Sequence, residues 1–187
     1  MANKVEFGIS ELHVGTYEEN SGTVTLGTPY AQKGAVSFAP EEQQEQNTFY
    51  ADNIAYWSGY SGGTLEGDLE VAKFDDAFKT QFLGYVSLTD GGLANVKNAV
   101  KPNVYIAFQV EGDAESRRVI LYNCSLGAIT REFNTIEESK EPATETLSVT
   151  CIGDVPTGVT VASYKPGDAG YDDLFTNPAA PEFESES

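Results

Sequence analysis

Between Thr64 and Val71 the chain alternates without a break: Leu65, Gly67, Leu69 and Val71 fall on one side, Glu66, Asp68 and Glu70 on the other. Period-two alternation predicts a half-buried β-strand, because successive side chains of a strand point to opposite faces. The polar side of this strand is a row of carboxylates with no basic residue among them. Such a row either stays in water or faces something it repels.

The same period recurs along the chain. Lys4 to Val14 reads as a first strand whose apolar parity shifts between Ile9 and Leu12, the mark of a bulge. Ala35 to Ala39 is a short strand. Asn103 to Glu111 and Arg117 to Leu126 are two strong strands joined by Gly-Asp-Ala-Glu-Ser, a hairpin by composition and spacing. Thr144 to Ile152 sets Glu145, Leu147, Val149 and Cys151 opposite Thr144, Thr146, Ser148 and Thr150.

One segment has helical spacing. From Phe74 to Leu83, the residues Phe74, Phe78 and Phe82 share a stripe with Ala77 and Leu83. Asp75 and Asp76 suit the first turn, and Gly84 offers the stop. The three phenylalanines are the expected helix core, with Asp75, Asp76 and Lys79 on the wet side. Strands with one flanking helix make this a mainly β chain, a sandwich or barrel and not a βαβ fold.

The segments between are polar. Pro40 to Asn47, holding Glu41, Glu42, Gln43, Gln44, Glu45 and Gln46, has no periodicity and reads as an exposed loop. Arg131 to Pro142 reads as a loop or arm. From Lys165 onward Gly, Pro, Asp and Ser accumulate, and the chain closes on an acidic stretch. The expected organisation is therefore one β domain over 1–163, followed at 164–187 by an extended acidic arm or tail, partly disordered.

Aspartate and glutamate number 29 against 11 lysines and arginines, for a formal charge of −18. A surface of that sign repels DNA, RNA and anionic lipid. Ten Tyr and ten Phe argue for a folded body in spite of the charge. No stretch approaches the roughly 20 apolar residues of a membrane span. The N-terminal residues hold no apolar signal region, so secretion by a cleaved leader is not expected. Cys124 and Cys151 each sit in an apolar run, where buried free thiols are the expected state; a disulfide requires their two strands to be neighbours.

Residues that usually carry chemistry are sparse. His13 is the one histidine, it lies in a strand, and no Gly-x-Ser-x-Gly turn accompanies it, so a surface or subunit-contact role is expected. Two distant cysteines without a Cys-x-x-Cys pair do not make a zinc site. No phosphate-cradling or dinucleotide glycine motif occurs. Asp168, Asp172 and Asp173 lack the spacing of a calcium loop and read as solvated acids. Paired carboxylates beside aromatics would suit a glycosidase. The Phe49, Tyr50, Tyr56, Trp57 and Tyr60 cluster reads instead as core or interface packing. No catalytic residue, metal ligand or cofactor site is assigned.

Four pieces in order are not generic: FYADNIAYW, then GYSGGTLEGDLEVAKFDDAF, then RRVILYNCSLG, then ETLSVT. Over roughly Val5 to Ile152 the chain resembles the major tail protein, or tail tube protein, of long-tailed bacteriophages, particularly those of Gram-positive hosts. The resemblance implies a structural virion protein that assembles in the host cytoplasm. It implies a β-sandwich with a flanking helix that forms rings, usually hexameric. The rings stack into a tube around a tape-measure protein, and strands of all subunits join into one barrel around the bore. A long loop and the chain ends connect rings, terminator and tail-tip proteins close the tube, and genome DNA later passes through without specific binding. No membrane partner is implied.

The residues fit that role on physical grounds. A bore that passes a polyanion should offer no Lys or Arg contacts, because neutralising phosphates adds affinity through counterion release. Glu66, Asp68 and Glu70 are the expected bore-facing row, with Thr144, Thr146, Ser148 and Thr150 the second candidate lining. The Glu41–Gln46 loop is the expected contact between rings. The competing reading is a carbohydrate-binding β-sandwich module of a cell-surface or receptor-binding protein, with Tyr50, Tyr56, Trp57 and Tyr60 as its platform.

Overall fold

The computed structural model describes residues 8–51, 54–131 and 143–183. In chain order the strands are β1 (Gly8–Asn20), β2 (Thr23–Leu26), β3 (Tyr30–Ala31), β4 (Ala35–Phe38), β5 (Glu41–Glu42), β6 (Glu45–Ala51), β7 (Ile54–Ser61) and β8 (Leu65–Val71). Helix α1 (Asp76–Phe82) follows, then β9 (Val86–Ser87), β10 (Leu93–Ala94), β11 (Val104–Glu111), β12 (Arg118–Arg131), β13 (Glu145–Cys151) and β14 (Val161–Tyr164). The fold is mainly β, with a single α-helix among the described residues.

One large sheet runs β2-β1-β11-β12-β13-β8-β4, with β14 beside β12, β3 beside β1 and β5 beside β8. The sheet curls until β1 touches β4, although no ladder bonds join those two strands among the described residues. The concave side holds the main core: Leu12 and Val14 of β1, Ile106 of β11, Leu121 of β12, Leu147 of β13 and Leu69 of β8. Phe74, Phe78 and Phe82 are fully buried in that core. Phe78 lies between Phe74, which precedes the helix, and Phe82, with ring centroids 4.9 Å from Phe74 and 5.1 Å from Phe82. The parity break in β1 is a register shift between Ser10 and His13, where Glu11 adopts φ 50°. A bulge of this kind lets one strand serve two faces.

The other side of β1, β11 and β12 carries a smaller core of Tyr17, Tyr105, Ile120 and Tyr122. It is covered by residues that follow the expected domain end. Leu174 is buried there, in a short 3-10 turn (Asp173–Phe175), and the Phe175 ring stacks on His13 at 4.5 Å. Arg118 lies over both Tyr171 and Phe175, at 4.1 and 4.4 Å. The segment expected as an extended arm is therefore docked on the sheet through residue 175; residues 184–187 lie outside the described residues. His13 is buried under this segment and its Nδ1 donates to Glu11 O, 2.7 Å away, so it is not a surface histidine.

Three further expectations change. Cys124 and Cys151 stand directly opposite each other on β12 and β13 and form a disulfide, so they are not free thiols. Lys79 is buried rather than wet, because Glu145 awaits it across the core edge. Glu145 Oε2 accepts from Phe74 N at 2.9 Å and pairs Lys79 Nζ at 3.8 Å, while its Oε1 pairs Arg131 Nε at 2.8 Å. A buried carboxylate is tolerable only when paired and hydrogen-bonded in this way. Third, Pro40 to Asn47 is not a loop: Glu41–Glu42 pairs with β8, and Glu45 to Asn47 opens a separate hairpin. The arm expected over Arg131 to Pro142 lies, beyond Arg131, outside the described residues.

Candidate functional site

Two exposed features stand out from the packed body. The first is the polar face of β8 and its neighbours. Leu69 and Val71 point into the core, which forces Glu66 and Asp68 into solvent and leaves Glu70 half-buried. β13 runs antiparallel beside β8 with Thr150 opposite Glu66, Ser148 opposite Asp68 and Thr146 opposite Glu70. Residues directly opposite share a face. The carboxylate row and the hydroxyl row thus form one surface, and β12 extends it with Ser125 opposite Thr150 and Thr130 opposite Thr146.

Hydroxyls hold the carboxylates without neutralising them. Ser148 Oγ donates to Asp68 Oδ1 at 3.0 Å, Thr144 Oγ1 to Glu70 Oε1 at 2.5 Å, and Ser37 Oγ to Glu70 Oε2 at 3.1 Å. Among the described residues no ion pair involves Glu66, Asp68 or Glu70. Glu41 of β5 sits directly opposite Glu66, a like-charge pair that adds to the negative field. Chemically, carboxylates that no ion pair neutralises among the described residues can repel anions.

The second feature is the hairpin of β6 and β7, a two-stranded sheet of its own. Phe49 is opposite Trp57, Thr48 opposite Ser58, and Gln46 opposite Tyr60. Phe49, Tyr56, Trp57 and Tyr60 are 60%, 74%, 58% and 67% exposed. The Trp57 ring folds over Gly59, where a Cβ would come within 2.5 Å of Cζ2. At the base, Gln43 N donates to Thr64 O at 2.8 Å, and Gly63 passes so close to Gln43 O that any side chain at that position would collide with it. Glu41, Glu42, Gln43, Gln44, Glu45 and Gln46 are all exposed, spread over β5, the hairpin base and the start of β6.

Exposed aromatics on a two-stranded hairpin are unusual, since such a hairpin is marginal in water and an apolar patch marks a contact surface. The sequence reading named the aromatics but missed the hairpin. Asp52-Asn53 between two aromatic runs was the available signal, two turn-forming residues at hairpin spacing.

Among the described residues no group of three or more His, Cys, Asp or Glu could hold a metal ion. Burial pushes the Tyr105 and Tyr122 hydroxyls far above the ordinary tyrosine range, and burial lowers Lys101, whose ammonium donates to the carbonyls of Leu126, at 3.1 Å, and Gly127. These groups brace the fold and meet at no common cleft.

The curled sheet thus leaves two surfaces unpartnered within the chain, an acidic and hydroxyl-lined face and an aromatic hairpin that pairs only with itself among the described residues. The chain belongs to the phage tail tube protein family, whose model, described as "Phage tail tube protein", matches residues 2–154. It is thus a structural component of a virion tail. Among solved structures, the fold is shared with the tube-terminating cap of the anti-feeding prophage: TM-score 0.50, 10% identity, covering 87% of this chain and 95% of that one. The sheath–tube complex of an extracellular contractile injection system in its extended state gives TM-score 0.48 at 10% identity, over 83% of this chain and 88% of that one. No curated protein matches the sequence.

Proposed function

We propose that copies of this chain form stacked hexameric rings, the tail tube of a phage of Gram-positive hosts, assembled in the host cytoplasm. The bore is lined by Glu66, Asp68 and Glu70 together with Thr144, Thr146, Ser148 and Thr150. A tape-measure protein fills the bore during assembly, terminator and tail-tip proteins close its ends, and DNA later passes through it into the host. The hairpin region from Glu41 onward, with the chain ends, joins one ring to the next. Residues 1–163 are the tube domain, and the acidic segment from 164 packs against it through Leu174 and Phe175.

The single observation that carries this reading is the convergence of two polar rows on one exposed sheet face, whose carboxylates form no ion pair among the described residues. A closed barrel built from such faces removes sheet edges and leaves a wall over which DNA slides without counterion release. The test is accessibility in the assembled state. With both native cysteines in their disulfide, an Asp68→Cys variant should react with a small maleimide as free subunit and as tube. A maleimide on a polymer wider than the bore should label free subunits and spare tubes. Equal labelling of tubes by the bulky reagent, or electron micrographs without rings or tubes, overturns the reading.

The exposed aromatics also invite a carbohydrate-platform reading. Trp57 and Tyr60 are three residues apart on one strand and fall on opposite faces of the hairpin, Trp57 with Phe49 and Tyr60 with Tyr56, so the aromatics are split between two faces. Binding of the free subunit to a glycan panel would revive that alternative.

A further inference from the structure

We infer that Cys124 and Cys151 are free thiols while the subunit folds, and that they close to their disulfide only afterwards, inside the finished sheet, by reaction with a small peroxide. The inference rests on the tube reading, which puts folding and ring assembly in the host cytoplasm, and adds to it an order of events.

The sheet alone brings the two sulfurs together. Cys124 stands opposite Cys151, and the same two strands are also held by Ser125 opposite Thr150, Leu126 opposite Val149 and Ile129 opposite Leu147. Those pairs fix the register whether or not the sulfurs are bonded, and the two Cα atoms are 3.9 Å apart. Closure therefore needs no movement of the main chain. The core accepts the open form as well, since a free cysteine packs as a small apolar side chain.

The same sheet shuts both sulfurs away from large reagents. One row across it runs Val104 of β11, Cys124 of β12, Cys151 of β13 and Leu65 of β8, so each cysteine has a paired strand on either side. Cys124 is fully buried and Cys151 is 1% exposed, both within the main core. Thiol–disulfide exchange needs an attacking thiolate to reach a sulfur, which glutathione or a thiol enzyme cannot do here without opening the sheet. In a reducing compartment the unfolded chain keeps its thiols and carries them into the fold. What can follow them in is a molecule the size of hydrogen peroxide.

The chemistry balances in two steps. One thiol sulfur attacks a peroxide oxygen; the O–O bond breaks, the sulfur becomes a sulfenic acid, and the thiol proton leaves with the other oxygen as water. The second sulfur attacks the sulfenic sulfur; the S–O bond breaks, and its proton leaves with that oxygen as a second water. Two thiols are oxidised and one peroxide is reduced. The bond ties the strand pair that carries Thr146, Ser148 and Thr150, so a wall held by hydrogen bonds during assembly becomes a covalently tied one after release from the reducing compartment.

The experiment precipitates producing cells with acid, alkylates the denatured chain with N-ethylmaleimide and weighs it intact by mass spectrometry. Both cysteines should carry maleimide. Neither should do so after protein purified folded and without air is treated with hydrogen peroxide. Circular dichroism of the two forms should agree, tubes should grow from either, and the bridged form should melt about 5–15 °C higher, as expected for a cross-link between residues 27 apart. Dithiothreitol should open the bridge in denaturant and spare it in the folded protein. A bridge already present in the precipitated cells, closure by peroxide only in denaturant, reduction of the folded protein, or an unfolded dithiol form overturns the inference. Tubes from the bridged form alone also overturn it, whereas tubes from neither form overturn the tube reading instead.

Discussion

The body and the hairpin use the same kinds of residue to opposite ends. Phe74, Phe78, Phe82, Tyr105 and Tyr122 are fully buried, whereas Phe49, Tyr56, Trp57 and Tyr60 stand more than half exposed. In the body, aromatic area leaves water when the chain folds, and that transfer drives folding. In the hairpin it stays in water, so its contribution is available only to a later contact. The difference teaches that the subunit's stability and its capacity to associate sit in separate parts of the molecule and should be separable by mutation.

The largest effect is expected in the body. Phe78→Ala removes the middle ring of the helix stack and should cost about 3–5 kcal/mol, read as a lower melting temperature of the free subunit. An unchanged melting temperature with assembly lost would move that helix face to a subunit contact and dissolve the distinction.

A smaller effect belongs to the β11–β12 turn. Bonds from Arg117 and Lys165 hold the Glu115 carboxyl below its ordinary value of 4.5. A folded-state value below the unfolded one means stability that is present above pH 4.5 and is lost as pH falls through the folded value. Glu115→Gln should therefore lower the melting temperature slightly at pH 7 and leave it unchanged at pH 2. An equal deficit at both values would mean the side chain matters for packing and not for charge.

The smallest effect, none on the free subunit, is expected at the hairpin. Trp57→Ala should leave the melting temperature of the monomer as it was and abolish tube growth. A large thermal loss would show that the hairpin packs on the body after all.

The body was legible because each of its strands has one wet and one dry face, so alternation marks both the strand and its orientation. β8 and β13 read directly from Leu65 to Val71 and from Glu145 to Cys151. The hairpin was not legible for the converse reason: with both faces exposed, no alternation separates inside from outside. Lys79 read as a surface residue because its partner Glu145 is far along the chain, and helical spacing knows nothing of it. The docking of the C-terminal segment turns on Tyr171, Leu174 and Phe175, three residues scattered within a run of Gly, Pro and Asp. The disulfide was not legible because alternation shows neither that β12 runs on to Arg131 nor that it pairs with β13, the pairing that sets Cys124 opposite Cys151.

That cross-link has a mechanical side. If β13 slipped by one residue against β12, Thr146, Ser148 and Thr150 would turn inward and Leu147 and Val149 would turn out. A covalent tie between Cys124 and Cys151 works as an alignment pin against that slip. A strand pair loaded in shear shares the load among its rungs and fails by slipping register. While the pin holds, the rows that face the same way at rest keep facing the same way under strain.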